Sequence, residues 1–508
     1  MALATTYSLA IIGVEAFEVT VEAHLSNGLP GFNIVGLPEA TVKESKERVR
    51  SAILNSMLEF PARRITVNLA PADLPKAGGR YDLAIALSIL AASGQLPCDA
   101  LKHYYILGEL ALNGDLRGVQ GVLPAVLAAL KINKAIILAQ VNNAEMSLAL
   151  YDQAKTANTL LEVLAYFIKG SELSGYEVPS KVDKLNGAVV KLSDIKGQVL
   201  AKRVLQIAAC GNHNLLMLGP PGTGKTMLAN CLVGLLPELS VDDALQLAAI
   251  KSIALISQVD RDWREPPMRA PHHTASNVAL VGGGSRLSPG EVSLAHKGVL
   301  FLDEIAEFSP KVLEVLREPI ESGYITLSRA NYRVRLPANF QLVAAMNPCP
   351  CGYAGDTINQ CSCSAERVSR YLARISGPII DRIDLLVELP RLSHSELISV
   401  IHTRDNTDNE KLKAAIEACR QGQLDRSGKL NSELNSEEVE RYCSISSKNR
   451  NMLASITEAL GLSARAFHRI LKVARTIADY QGHRQITQAN LQEAISYRRS
   501  DKLIQSRR

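Results

Sequence analysis

Gly219-Pro220-Pro221-Gly222-Thr223-Gly224-Lys225-Thr226 constrains this chain more than any other stretch. The apolar run Leu215-Leu216-Met217-Leu218 before it reads as a buried parallel strand, and Met227 to Val233 after it has helical length and spacing. A glycine-rich turn between strand and helix leaves backbone N–H groups free to close around a polyphosphate, and the helix N-terminus adds the positive end of its dipole. Lys225 would reach the β/γ-phosphates and Thr226 would ligate Mg²⁺. A surface loop matching the pattern by chance would lack the strand and helix that bracket it. The chain is expected to bind ATP or GTP.

With 508 residues there is room for about three domains at roughly 100–200 residues each. No segment approaches the ~20 uninterrupted apolar residues of a membrane span. Met1-Ala2-Leu3-Ala4-Thr5-Thr6 lacks the basic and apolar regions of a secretion signal, so a cytoplasmic protein with no membrane partner is expected. Nine cysteines, five of them scattered singly, do not read as a disulfide framework. A net charge of +5 does not by itself imply nucleic acid. The basic run from Arg498 to Arg508 reads first as a solvated tail, with a polyanion contact as the alternative.

The amino-terminal region alternates apolar and polar residues through Phe17–Ala23, turns at Asn27–Gly31, and continues with a helix over Glu39–Met57. A strand at Arg64–Leu69, an apolar helix at Leu83–Ala92 and a hairpin turning at Asn113-Gly114 follow. A helix at Val122–Leu130 and a strand at Ala135–Leu138 complete a two-layer α/β domain over residues 1–168. This order, with Pro71–Leu83 leading into the apolar helix, resembles the proteolytic domain of the Lon family, an S5-type fold. The resemblance implies a serine at the start of that helix, paired with a lysine. Asp82 stands in its place here, and a carboxylate cannot replace an activated hydroxyl. The domain therefore reads as non-catalytic, used for binding or assembly. A linker over 169–190 leads to a nucleotide domain over 191–390, entered through an amphipathic helix at 193–211.

A second buried strand, Gly298–Leu302, ends in Asp303-Glu304, where its polar tip would emerge beside the phosphates. Asp303 can hold the Mg²⁺ shell and Glu304 can act as general base on the attacking water. A third strand, Phe340–Met346, ends at Asn347, whose side chain can orient that water; alone it would be an ordinary turn former before Pro348. Cys349, Cys351, Cys361 and Cys363 then form C-x-C, nine residues, C-x-C. Four thiols so close in sequence suit a structural Zn²⁺ in a closed thiolate shell; an iron–sulfur cluster or two disulfides are the alternatives. His272 and His273 are adjacent and expected to point apart, in a loop role.

These elements together resemble the AAA+ ATPases, and the magnesium-chelatase-like branch in particular. The stretches Arg269–Thr274, Val281–Gly284, Ser293–Gly298, Asn347–Gly352 and Ile375–Asp384 are similar to those of the ComM/YifB family, which joins a Lon-like domain to such a core. The resemblance implies ATP as the nucleotide, Asn347 as first sensor, and Arg382 as a finger reaching a neighbouring subunit's nucleotide. It also implies Arg465 as second sensor on a helical lid (391–508, with helices at 393–418, 433–460, 463–480 and 487–498) and a ring, expected to be a homo-hexamer. A hairpin over Ser322–Arg335 carries Arg329, Arg333, Arg335 and Tyr332, suited to phosphates and base stacking, with a solvated hairpin as the alternative; the resemblance implies that such hairpins line a central pore. The insertion around Gly282–Ser288 is expected to line the same pore.

The family implies an ATP-driven motor on single-stranded or branched DNA, a branch-migration helicase of recombination and natural transformation. The residues alone support an oligomeric ATPase with basic pore candidates. Two rivals remain at this point. One is the motor subunit of a metal chelatase, against which the Lon-like domain and the cysteine quartet argue. The other is an unfoldase or protease, against whose proteolysis Asp82 argues.

Overall fold

The structure is a computed structural model and describes residues 3–37, 39–175, 190–254, 263–284, 287–329, 332–356, 358–391, 408–460 and 463–498. Most of the expected linker, the start of the first lid helix, part of the Gly282–Ser288 insertion, the side chains of Arg329 and Tyr332 and the tail beyond Arg498 lie outside the described residues. Contacts divide the chain into two compact units, Met1–Lys184 with Val241–Trp263, and Leu185–Ser240 with Arg264–Arg508.

The first unit is built on β1 (Leu3–Ile12), β2 (Glu15–Ser26), β3 (Gly31–Val35), β4 (Arg64–Ala70), β5 (Tyr104–Ile106), β8 (Ala135–Ala139) and β9 (Ala154–Ala157), with a small hairpin of β6 (Glu109–Leu110) and β7 (Leu116–Arg117). Its seven-stranded sheet runs β3-β4-β2-β1-β5-β8-β9. β1, β2 and β4 pair antiparallel, and the remaining ladders are parallel. Val19, Val21, Ala23 and Leu25 of β2 are buried, while Glu18 and Glu22 on the opposite face keep polar contacts. The helix Asp82–Ala92 is apolar all round and buried at every residue, so it lies in the middle of the core. The helix expected over Glu39–Met57 is interrupted at Glu44 into Ala40–Lys43 and Ser45–Asn55.

Asp82 is buried and accepts from Arg48 Nε and Nη2 at 2.6 and 3.2 Å and from Leu110 N at 3.3 Å. The carboxylate in the serine's place thus joins two helices through an ion pair. Val241–Ile253 packs on the helix Val122–Lys131 of the same unit, burying Ala244, Leu247, Ala249 and Ile250. Gly121 N donates to Ser252 O at 3.4 Å in that contact.

The second unit holds β10 (Leu215–Leu218), β11 (Met268–Arg269), β14 (Val299–Leu302), β17 (Gln341–Met346) and β18 (Leu385–Glu388), with short hairpins of β12 (Gly282–Gly283) with β13 (Ser288–Pro289) and β15 (Tyr324–Arg329) with β16 (Tyr332–Pro337). The five-stranded sheet runs β11-β14-β17-β10-β18, parallel throughout. β10, β14 and β17 are buried on both faces, which is why they read as unbroken apolar runs. Gln341 is the polar exception, and its Nε2 donates to Ala208 O and His213 O at 3.0 and 2.7 Å. Because β10 sits between β17 and β18, the chain must cross over after it, and the phosphate loop occupies the resulting switch point.

Two expected helices are shorter than the sequence periodicity suggests. Leu192–Asp194 is a 3-10 turn, left-handed Gly197 and Gln198 break the path, and the helix proper is Val199–Gly211. The expected 433–460 helix is two, Ser436–Tyr442 and Ser447–Leu460. Asn435 caps the first, accepting from Glu438 N at 2.8 Å, and Ser446 Oγ accepts from Asn449 N at 3.3 Å at the second. Asn409–Ser427, Ala464–Tyr480 and Gln488–Ser496 complete the described lid helices. Leu471, Ala474, Ile477 and Ala478 share one apolar core with Leu215, Met217 and Val343 of the sheet. Among the described residues no helix is long and apolar enough to cross a membrane.

Candidate nucleotide site and metal centre

Local backbone makes the cradle first. Gly222 and Gly224 adopt φ of 81° and 84°, and a Cβ on Gly219 would stand 2.6 Å from Leu389 O. Left-handed Gly224 precedes the helix Lys225–Leu235, placing Lys225 at its first position. The Lys225 side chain is buried, and its Nζ donates to Gly219 O at 2.7 Å, Pro220 O at 3.0 Å and Asn347 Oδ1 at 3.1 Å. Burial lowers its pKa, with Asp303 and Glu304 opposing.

Thr226 Oγ1 donates to Asp303 Oδ2 at 3.1 Å, so the two expected Mg²⁺ ligands already touch. Asp303 Oδ1 accepts from Glu304 N at 3.0 Å. Glu304 takes a left-handed φ of 50° and its side chain is exposed. A non-glycine residue held there at the tip of a buried strand aims its carboxylate away from the core. Thr223 Oγ1 donates to Pro220 O at 2.9 Å and closes the turn. Pro221, Gly222, Gly224 and Thr226 are exposed, presenting an open loop to a ligand.

The cysteine quartet is assembled. Sγ of Cys349 lies 3.2 Å from that of Cys351 and 3.7 Å from that of Cys361, and Cys351 and Cys361 are 3.5 Å apart. With Cys363, all four donor atoms lie within 4.8 Å of one another. Tetrahedral Zn²⁺ with bonds of about 2.3 Å requires sulfur separations of about 3.8 Å, which this group fits. Backbone N–H groups of Ala354 and Cys363 donate to Cys349 and Cys361 at 3.3 and 3.4 Å, although, against the Cys363 amide, desolvation and the neighbouring thiols push the Cys361 thiol up to about 12. The Tyr353 amide and the Cys349 thiol bring the Cys351 thiol down to about 6. Gly352, at φ 87°, sits against Pro221 of the phosphate loop.

The two arginines lie elsewhere. Arg382 is buried; its Nη1 donates to Pro378 O at 2.7 Å and its Nη2 pairs with Glu321. Arg465, 69% exposed, reaches the same Glu321 carboxylate at 3.8 Å. Neither bonds to the phosphate loop among the described residues. Arg469, one turn beyond Arg465, donates to Arg382 O at 2.9 Å and Asp384 Oδ1 at 2.5 Å. Glu321, Arg469 and Asp384 were not singled out by the sequence, where each resembles an ordinary surface charge.

On the hairpin, Arg333 and Arg335 share an exposed face opposite buried Val334 and Leu336. The Arg335 guanidinium lies 3.2 Å from the centroid of Tyr324, so Tyr324 is its aromatic partner. His272 and His273 do not diverge as expected: their rings lie 4.1 Å apart, and His272 Nδ1 contacts Thr274 Oγ1 at 2.8 Å. Neither belongs to a group that could hold a metal among the described residues.

Comparison with known proteins agrees with this geometry. Residues 191–397 match the family described as magnesium chelatase, subunit ChlI; residues 21–142 match subunit ChlI of Mg-chelatase; residues 406–498 match the ChlI C-terminal family. Competence protein ComM of Haemophilus influenzae is 51% identical over 510 residues, covering 99% of both chains. Uncharacterized protein YifB of Escherichia coli is 48% identical over 505 residues, 99% of this chain and 98% of the relative. Magnesium-chelatase subunit ChlI of Porphyra purpurea is 24% identical over 233 residues, 41% of this chain and 59% of the relative. On these identities across its whole length, the chain belongs to the ComM/YifB family of magnesium-chelatase-like AAA+ proteins.

Proposed function

We propose that this protein is an ATP-driven ring motor on DNA, a branch-migration helicase serving recombination and, in competent cells, natural transformation. The observation that carries the ATPase part is the paired contact at the strand tips: Lys225 on Asn347 and Thr226 on Asp303. Phosphate, magnesium and water groups from three segments meet there. Lys225 and the loop amides bind the β/γ-phosphates, and Thr226 and Asp303 would hold Mg²⁺, which neutralises phosphate charge when bound. Glu304 takes the proton of the attacking water, Asn347 orients that water, and ADP and phosphate leave. Arg382 acts across a subunit interface on the developing charge, Arg465 senses the nucleotide from the lid, and the working assembly is a homo-hexamer. Cys349, Cys351, Cys361 and Cys363 would hold Zn²⁺, which would fix the loop after Asn347. The protein works in the cytoplasm, where the five cysteines outside the quartet would stay reduced.

The DNA part is supported by the exposed Arg333–Arg335 face and by a full-length relative named for competence. ComM matches 99% of this chain at 51% identity and the chelatase subunit of Porphyra purpurea 41% at 24%, and this contrast supports the DNA reading over a chelatase motor. The test is ATP turnover with and without single-stranded and forked DNA at fixed, low salt, because phosphate contacts are steeply salt-dependent. Stimulation is expected; an identical rate with and without DNA overturns the DNA reading.

A further inference from the structure

We propose that Glu321 is a positioning residue that sequesters Arg382 and releases it when the neighbouring hairpin engages its polyanion. This inference rests on the reading of Arg382 as a group acting between subunits.

One carboxylate serves two guanidiniums. Arg382 is 8% exposed and meets Glu321 directly, while Arg465 holds the same oxygen loosely at 3.8 Å. A finger must project into another subunit, and this one is folded inward. Arg382 Nε is buried without a partner among the described residues, so the inward pose is held by Pro378 O and the Glu321 carboxylate alone. A buried guanidinium short of partners is poorly compensated, and loss of its counter-charge favours swinging outward.

Glu321 is also tied to the hairpin. It lies near the end of the helix Arg317–Ser322, and left-handed Gly323 leads directly into β15. Ser322 Oγ donates to Glu318 O at 2.7 Å and accepts from Tyr324 N at 3.4 Å, and Ala338 N donates to Gly323 O at 2.8 Å. Helix end and hairpin base therefore move together. The backbone of Arg382 is anchored separately: Arg469 binds its carbonyl and Asp384, and Asp384 accepts from Asn214 N at 2.9 Å. One partner of the Arg382–Glu321 pair belongs to the sheet and lid, the other to the hairpin. Displacing the hairpin separates the charges.

The experiment compares full-length wild type, Glu321→Gln, and Glu321→Gln with Arg382→Ala, as assembled rings with and without single-stranded DNA. Glu321→Gln is expected to raise the DNA-free kcat about tenfold, the worth of one charge-assisted hydrogen bond, at little change in KM. Its DNA stimulation should fall toward unity, and Arg382→Ala in the same chain should abolish the gain. Glu321→Asp should give an intermediate rate, which keeps the test open if the Gln variant does not fold. Wild-type DNA stimulation in folded Glu321→Gln, or a lower DNA-free kcat, overturns the proposal. Mixing Lys225→Ala with Arg382→Ala subunits tests the underlying reading separately: activity must reappear in mixed rings. Failure there removes action between subunits and the sequestration with it; success there with unchanged Glu321→Gln removes sequestration alone.

Discussion

A Cβ on Gly352 would stand 2.8 Å from Cδ of Pro221, so the cysteine loop and the phosphate loop are in contact through the one residue small enough to allow it. Gly352 also sits at φ 87°, where a side chain is strained. Gly352→Ala should push Pro221 from its place and raise KM for ATP by about tenfold, matching a strain near 1–3 kcal/mol. Metal content measured on the same preparation should stay at the wild-type value.

The quartet should bind one zinc per chain. Cys361→Ser should lose it, by elemental mass spectrometry, and lower the melting temperature by about 5 °C or more, since metal binding here is also folding free energy. A wild-type preparation with two disulfides and no metal would defeat the assignment.

Glu304→Gln removes the base and leaves the cradle. Nucleotide binding by calorimetry should persist while kcat falls by about 10²–10⁴.

Arg333→Ala should lower the ratio of DNA-stimulated to DNA-free turnover. It should also reduce the salt slope of DNA binding by about 1, the signature of one lost phosphate contact. Arg335 is stacked on Tyr324, so Arg335→Ala should loosen the hairpin as well as the contact.

Asp384 supplies a pH test. Burial works to raise its pKa, but the Arg469 charge and the His213 and Asn214 contacts win and hold it well below the usual carboxylate range. Its stabilising contribution is complete above the unfolded value of about 3.9 and is lost as pH falls through the lower folded value. Asp384→Asn should cost about 3–5 kcal/mol in denaturant titrations at pH 7, with a shallower loss of stability in acid than wild type.

Much of the nucleotide site is readable in the primary structure because parallel strands buried on both faces appear as apolar runs, and their polar tips, Asp303 and Asn347, follow at once. The quartet is readable because its ligands are close in sequence. Glu321 is not: a glutamate before a hairpin looks like any solvated charge until the fold brings Arg382 against it. The break after Tyr442 was hidden by helical spacing on both sides, although Ser444 and Ser446 are cap formers. Val241–Ile253 draws no reading from the sequence at all, since the partner it packs on, Val122–Lys131, lies more than a hundred residues earlier.

That helix has a consequence for anyone wishing to dissect the molecule. The backbone passes between the two compact units three times, near residues 184, 240 and 263. No single scission can therefore free the amino-terminal unit whole. A fragment stopping before residue 184 would lack the helix that covers Val122–Lys131 and would leave that apolar surface wet. A faithful excision must carry Val241–Trp263 along, as a grafted or co-expressed peptide.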